Sequence, residues 1–173
     1  MRDCPSSFIS NSAWYALYTK SRHEKFIGEE LTKRRIESFL PTRKVKRRWS
    51  DRTVAIEEPL FKSYIFVKTD LSRKLDVLKV KGAVRFVSAG TDPIAIDENA
   101  IRSIRNIVDR EIAIDPFPYL EEGQKVCIKE GLFKDTEGYI VRKDEKRCRL
   151  IVSIDAIRSS VSIEIDSCLA EKI

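Results

Sequence analysis

The chain has 173 residues, of which 42% are hydrophobic, and its 33 Lys and Arg against 27 Asp and Glu leave a net charge of +6, a balance that fits one domain or two small ones and excludes wholesale disorder. Residues 1–113 hold 23 basic and 15 acidic side chains, a net of +8, while residues 114–173 hold 10 and 12, a net of −2, so the first part is expected to meet a polyanion and the second to do something else. No apolar run approaches the ~20 residues that span a bilayer, and Met1 to Ala13 lacks the apolar centre of a signal peptide.

Trp14-Tyr15-Ala16-Leu17-Tyr18-Thr19 is short and aromatic, which predicts a strand. Ser21 followed by Glu24 has the capping-box spacing, and the helix it predicts carries Phe26, Ile27 and Leu31 on one face to about Arg35. Ser38-Phe39-Leu40 reads as a strand that stops near Pro41. From Arg43 to Arg52, 6 of 10 residues are basic and Ser50-Asp51 supplies turn chemistry, so with Thr53 to Ile56 the segment predicts a hairpin with a basic tip. Tyr64-Ile65-Phe66-Val67 reads as a strand buried on both faces. A short helix from about Ser72 carries Leu75 and Leu78, and Gly82 is available to end it. Val84 to Val87 is another strand, and Asp97 caps a helix bearing Ala100, Ile101, Ile104, Ile107, Val108 and Ile112 at 3.6-residue spacing. Interleaved strands and helices predict an α/β sandwich.

Two prolines in Ile114 to Tyr119 mark a linker. Beyond it, short strands at Val126 to Lys129, Tyr139 to Arg142, Arg149 to Ile154 and Val161 to Ile165 predict a small barrel. The boundaries expected are a poorly ordered start at 1–13, a first domain at 14–113, a linker at 114–120 and a second domain at 121–173. The fold class is α+β.

The inventory for catalysis is thin. His23 is the only histidine and reads as a surface or helix-capping residue. Cys4, Cys127, Cys148 and Cys168 have no CxxC pairing, so they read as reduced thiols, Cys127 and Cys148 within apolar strands. No GxGxxG or Walker-type loop occurs, and Glu29-Glu30 and Glu57-Glu58 diverge as neighbours on an element do. The expectation is no enzyme, no catalytic residue, no cofactor and no metal.

Val126-x-Ile128-x-x-Gly131-x-Phe133-x-x-x-x-Gly138-x-Ile140 resembles the KOW motif of NusG-type factors and some ribosomal proteins. Trp14 to Lys20, the helix from Ser21, and Glu58-Pro59-Leu60-Phe61-Lys62-Ser63-Tyr64-Ile65-Phe66-Val67 resemble the amino-terminal domain of NusG factors, nearest to the specialised RfaH-like and UpxY-like antiterminators. One departure bears on the backbone of a turn: the family usually has Pro-Gly or Pro-Asn where Lys62-Ser63 stand.

The resemblance implies a NusG-type α/β sandwich followed by a small SH3-like KOW barrel. It also implies binding to elongating RNA polymerase, through the clamp helices of its largest subunit, by an apolar depression matched by Tyr18, Phe61, Tyr64 and Phe66, with Trp14 and Tyr15 close by. Trp14, Ile65 and Val67 read as core, while for Tyr18, Phe61 and Tyr64 core and surface stay open. Lys20, Arg22, His23 and Lys25 stand where specialised paralogues read non-template DNA. The basic tip, with Arg43, Lys44, Lys46, Arg47, Arg48, Arg52 and Trp49, reads as a phosphate contact to upstream DNA. Phe133, Ile154 and Ile157 match the edge by which the family's KOW domain docks a ribosomal protein, Rho or another regulator, although Thr136 stands where general factors often have a second aromatic. The reading is a cytoplasmic, monomeric antitermination factor that suppresses pausing and termination in selected operons. A housekeeping NusG, a structural KOW-type RNA- or ribosome-binding protein and, more remotely, a metal-dependent nuclease are the alternatives.

Overall fold

The computed structural model describes residues 12–48, 52–110, 114–117, 124–129, 131–142, 147–166 and 170–172. Trp49, Ile112, Cys4, Cys168 and most of the 1–13 start lie outside them, as do the side chains of Arg47 and Cys148.

The first domain follows the order β1 (Ala13–Thr19), α1 (Glu24–Lys33), β2 (Glu37–Phe39), β3 (Thr42–Arg48), β4 (Thr53–Pro59), β5 (Tyr64–Thr69), α2 (Lys74–Leu78), β6 (Ala83–Phe86), the short β7 (Ser88–Ala89), β8 (Asp92–Pro93) and β9 (Ala95–Ile96), then α3 (Glu98–Val108). The main sheet runs β2-β5-β1-β6, with β9 also paired to β1; the pairings are antiparallel. Alternation along β1 sends Trp14, Ala16 and Tyr18 to one face and Tyr15, Leu17 and Thr19 to the other. The second face buries Tyr15, Leu17, Ile65, Val67 and Phe86 with Ile27 and Leu31 of α1 and Val77 of α2. The first face packs Trp14, Ala16 and Phe66 with Ile101, Ile104 and Ile107 of α3. Each fully buried Ile or Leu contributes roughly 1.5–3 kcal/mol.

The helix ends differ from the capping-box expectation. α1 is preceded by His23, whose side chain makes no capping bond. Its C-terminus closes as a Schellman turn: Arg35 takes φ 56, its N–H reaches Thr32 O at 2.9 Å, and Ile36 N–H reaches Leu31 O at 3.0 Å. Asp97 does cap α3, accepting the N–H of Asn99 at 3.0 Å. In α2, Val77 is buried in the core, Leu78 packs half-buried against it, and Leu75 is exposed.

The second domain holds β10 (Asp115–Phe117), β11 (Gln124–Ile128), β12 (Glu137–Arg142), β13 (Arg147–Ile154), β14 (Ser159–Asp166) and β15 (Ala170–Lys172). They form one antiparallel sheet in the order β10-β14-β13-β12-β11-β15. The segment expected as linker therefore contributes an outer strand, with Pro116 on the sheet's edge where a missing donor costs least. The KOW glycines differ in cause. Gly131 takes φ 78, while Gly138 has no positive φ; a Cβ there would stand 2.5 Å from Ile151 O, so it permits the close approach of β13.

The two domains touch. α3 packs on β1 through one side and on β12 and β13 through another, and a single apolar core runs from the sheet through α3 into the second domain.

Candidate functional site

Three surfaces carry the residues that the sequence singles out. The first is at the uncovered end of the α3-bearing sheet face. Register places Tyr18 opposite Tyr64 on β5 and Arg85 on β6. The tyrosine rings stand 5.5 Å apart at 60°, and the Arg85 guanidinium lies 5.9 Å from the Tyr18 ring. Tyr18 is 37% exposed, but Phe61 and Phe66 are buried behind it, and Trp14 is buried at the other, α3-covered end of the strand. Tyr15 faces the other side of the sheet, edge-on to Phe86. The patch is thus Tyr18 and Arg85, both exposed, with Tyr64 half-buried between them and the core. The sequence reading missed Arg85; alternation along β6 was the only available signal.

The turn that delivers Tyr64 shows how Lys62-Ser63 replaces the expected Pro-Gly or Pro-Asn. Ser63 takes φ 64, the left-handed conformation those pairs favour. Its N–H donates to the buried carboxylate of Glu24 at 2.8 Å, and its carbonyl accepts from Thr19 N–H at 2.9 Å. Glu24 thus turns to this loop rather than back toward Ser21.

The second surface adjoins that turn. A cleft of about 530 Å³ opens between the start of α1 and the root of the β3–β4 ribbon, lined by Arg22, Lys25 and Lys62 together with Glu57 and Glu58. Lys62 is a cation that the sequence reading left unassigned. Lys25 Nζ meets Glu57 Oε2 at 2.9 Å across the cleft, and this hydrogen bond holds the Glu57 carboxyl below its ordinary range. Lys20 and Arg22 are exposed. His23 is half-buried, its Nδ1 3.1 Å from Ser21 O and its ring against Gly82, where φ is 97 and a Cβ would come within 2.8 Å of the ring.

On the ribbon, pairing sets Lys44 opposite Glu57, Lys46 opposite Ala55 and Arg48 opposite Thr53, all on one face; Lys44, Lys46, Arg48 and Arg52 are exposed. Successive cations on that face are ~7 Å apart. The other face bears Val45, Val54 and Ile56, half-buried, with Arg43, whose Nη1 donates to Ile114 O at 3.1 Å. Arg43 therefore ties the ribbon to the start of the second domain.

The third surface is closed. Phe133, Ile154 and Ile157 are 6%, 1% and 8% exposed and share the core that includes α3. Glu137 N–H donates to Ser103 Oγ at 2.9 Å, and Ser103 is fully buried. Thr136 is buried as well. Among the described residues, no group of three or more His, Cys, Asp and Glu could hold a metal ion, and no helix is long and apolar enough to cross a membrane.

Comparisons with known proteins agree on one family. The family model described as "NusG: Transcription termination factor nusG" matches residues 12–105. The Transcription termination/antitermination protein NusG of Rickettsia bellii is 29% identical over 164 residues, 88% of this chain and 85% of that protein. Its counterpart from Borreliella burgdorferi is 28% identical over 182 residues, 93% of this chain and 98% of that one. Among solved structures, one described as "Domain interaction in Thermotoga maritima NusG" matches with a TM-score of 0.54 at 21% identity, covering 94% of this chain and 98% of that one. That likeness establishes the shared fold.

Proposed function

Because the chain belongs to the NusG family of transcription factors, we propose that it is a specialised antitermination factor that binds elongating RNA polymerase and DNA and suppresses pausing and termination in selected operons. Tyr18, Tyr64 and Arg85 take the polymerase, at the clamp helices of its largest subunit. Rigid aromatics beside a cation give large contact area at small entropic cost. Lys20, Arg22, Lys25 and Lys62 hold exposed non-template DNA at the cleft, and Lys44, Lys46 and Arg48 hold upstream phosphates. The second domain docks a further protein, such as a ribosomal protein or Rho. The protein acts in the cytoplasm, on the nucleoid, as a monomer.

The observation that carries this reading is the junction at residues 61–64. There a tyrosine pair, Tyr18 exposed and Tyr64 half-buried, adjoins a cleft that carries Arg22, Lys25 and Lys62 beside Glu57 and Glu58, which suits a protein that grips polymerase and nearby DNA together. A housekeeping NusG acting at every transcription unit is supported equally by the relatives, which bear that general name. Mapping the protein on transcribing polymerase across a genome separates the two: occupancy at a few operons supports the specialised factor, and occupancy at all of them supports the housekeeping one.

A further inference from the structure

Phe26 is the large apolar side chain of α1 that the fold leaves outside. Ile27 and Leu31, with which its spacing groups it, are fully buried, yet Phe26 is 43% exposed and belongs to the core on neither face of the sheet. The cause is angular. Neighbours on a helix point about 100° apart, so with Glu24, Ile27 and Leu31 turned inward, Lys25 and Phe26 are left outside. A phenylalanine at such a place gains little from burial and is a poorer helix former than lysine or glutamate. The packing of α1 does not call for it.

Its surroundings are cationic on both flanks. Lys25 turns to the β3–β4 ribbon, where it meets Glu57. On the opposite flank the His23 ring rests against Gly82, and Lys20 N–H donates to Gly82 O at 2.9 Å. The loop after α2 therefore lies beside the start of α1 and brings the exposed Lys79 and Lys81 to that flank. Phe26 stands on the ridge between the two. Long side chains on a helix lean toward its N-terminus, which directs the ring toward the exposed Arg22 and away from Glu29 and the Glu30–Lys33 ion pair.

We propose that Phe26 is a stacking platform for one unpaired base of the DNA strand that crosses the start of α1. Arg22 and Lys25 hold phosphates on one side of the ridge, Lys79 and Lys81 hold them on the other, and the base between lies flat on the ring. Every base has a π-face, so the contact is tolerant of sequence. It is not tolerant of pairing, because a duplex hides its base faces and meets the cations alone. Phe26 thus makes this surface select open strand over duplex. The inference rests on the reading of this face as a DNA surface, and it names the residue that gives the surface its preference.

The test is fluorescence anisotropy of the full chain with a single-stranded oligonucleotide and with the duplex of the same sequence. Phe26→Ala should weaken single-strand binding about tenfold, as the loss of one stacked base requires, and leave duplex binding nearly unchanged. The salt dependence should keep its slope, since no phosphate contact is lost. Phe26→Tyr should bind as the unsubstituted chain does, while Phe26→Leu, apolar but without a π-face, should not. One abasic position in the oligonucleotide should weaken the unsubstituted chain and leave Phe26→Ala unaffected. The proposal is overturned if Phe26→Ala binds single strands normally, if it loses duplex binding equally, or if Phe26→Leu serves as well as Phe26→Tyr. Arg22→Ala with Lys25→Ala separates this from the wider reading. If that variant loses DNA while Phe26→Ala loses none, the DNA surface stands and the platform falls; a chain that binds neither form of DNA overturns both.

Discussion

The carboxylate of Glu24, buried at the first turn of α1, accepts the backbone N–H of Ser63 at 2.8 Å. That bond joins the helix that bears Lys25 and follows Arg22 to the turn preceding Tyr64. It holds a left-handed serine in place and sets the spacing between the aromatic patch and the cleft. A charged acceptor on a backbone donor is worth about 1.5–3 kcal/mol. Glu24→Ala should therefore lower unfolding free energy by about 2 kcal/mol, with Glu24→Gln losing less because it keeps an acceptor. Ser63→Gly should raise stability by about 0.5 kcal/mol, since glycine takes positive φ without strain but brings more chain entropy to the unfolded state. Urea titration of the three variants measures all of this.

His23 and Gly82 form a second structural pair. Gly82→Ala combines positive φ with a Cβ 2.8 Å from the imidazole, and the expected loss is about 1–3 kcal/mol. His23→Ala in the same chain should recover part of it by removing the clash. A thermal melt of the single and double variants would show the coupling; strict additivity would mean that the contact is not felt.

On the proposed reading, Glu57 competes with DNA for Lys25. Its carboxyl is held below the ordinary range by the Lys25 hydrogen bond, so the pair's contribution is present above the ordinary carboxylate value and is lost only as pH falls through the lowered one. Near neutral pH the pair is intact and its strength varies with salt rather than pH. Glu57→Gln should release Lys25 and tighten single-stranded DNA binding several-fold at low salt, with the gain shrinking as salt rises. Fluorescence anisotropy across a salt series reads this directly.

The ribbon's cations divide by face, and the division predicts their salt dependence. Lys46→Ala with Arg48→Ala should weaken duplex DNA binding and reduce the slope of log affinity against log salt by about 2, as the loss of two phosphate contacts requires. Arg43→Ala should leave that slope almost unchanged, because Arg43 lies on the opposite face and bonds Ile114 O. Equal slopes for both variants would mean that the faces do not act separately.

Periodicity made much of the fold legible. The strand at Trp14 to Thr19, the ribbon and the Asp97 cap all follow from spacing and turn chemistry, and alternation alone separates Tyr18 from Tyr15. What the sequence hides is tertiary. Ser21 and Glu24 have capping-box spacing, yet a buried carboxylate does better on the Ser63 amide across the fold. Asp115 to Phe117 reads as linker because prolines end helices, but a proline on a sheet edge costs little once β14 is there to pair with it. The patch follows the same rule. Phe61, Phe66 and Tyr18 are all aromatics in or beside strands, and the placement of α3 over the far end of the sheet leaves Tyr18 exposed and Tyr64 half-buried. Arg85 and Lys62 belong to their surfaces through strand register and turn geometry, which a one-dimensional reading does not resolve.

The central claim is that the Tyr18–Tyr64 pair is the grip on RNA polymerase. Its direct test is a quantitative pull-down of elongating polymerase by full-length protein carrying Tyr18→Ala and Tyr64→Ala, with circular dichroism confirming the fold. Truncating two central aromatic anchors typically costs about 2 kcal/mol each, so binding should fall by roughly a thousandfold in a protein that melts cooperatively. Undiminished polymerase capture by the folded double variant would contradict the account.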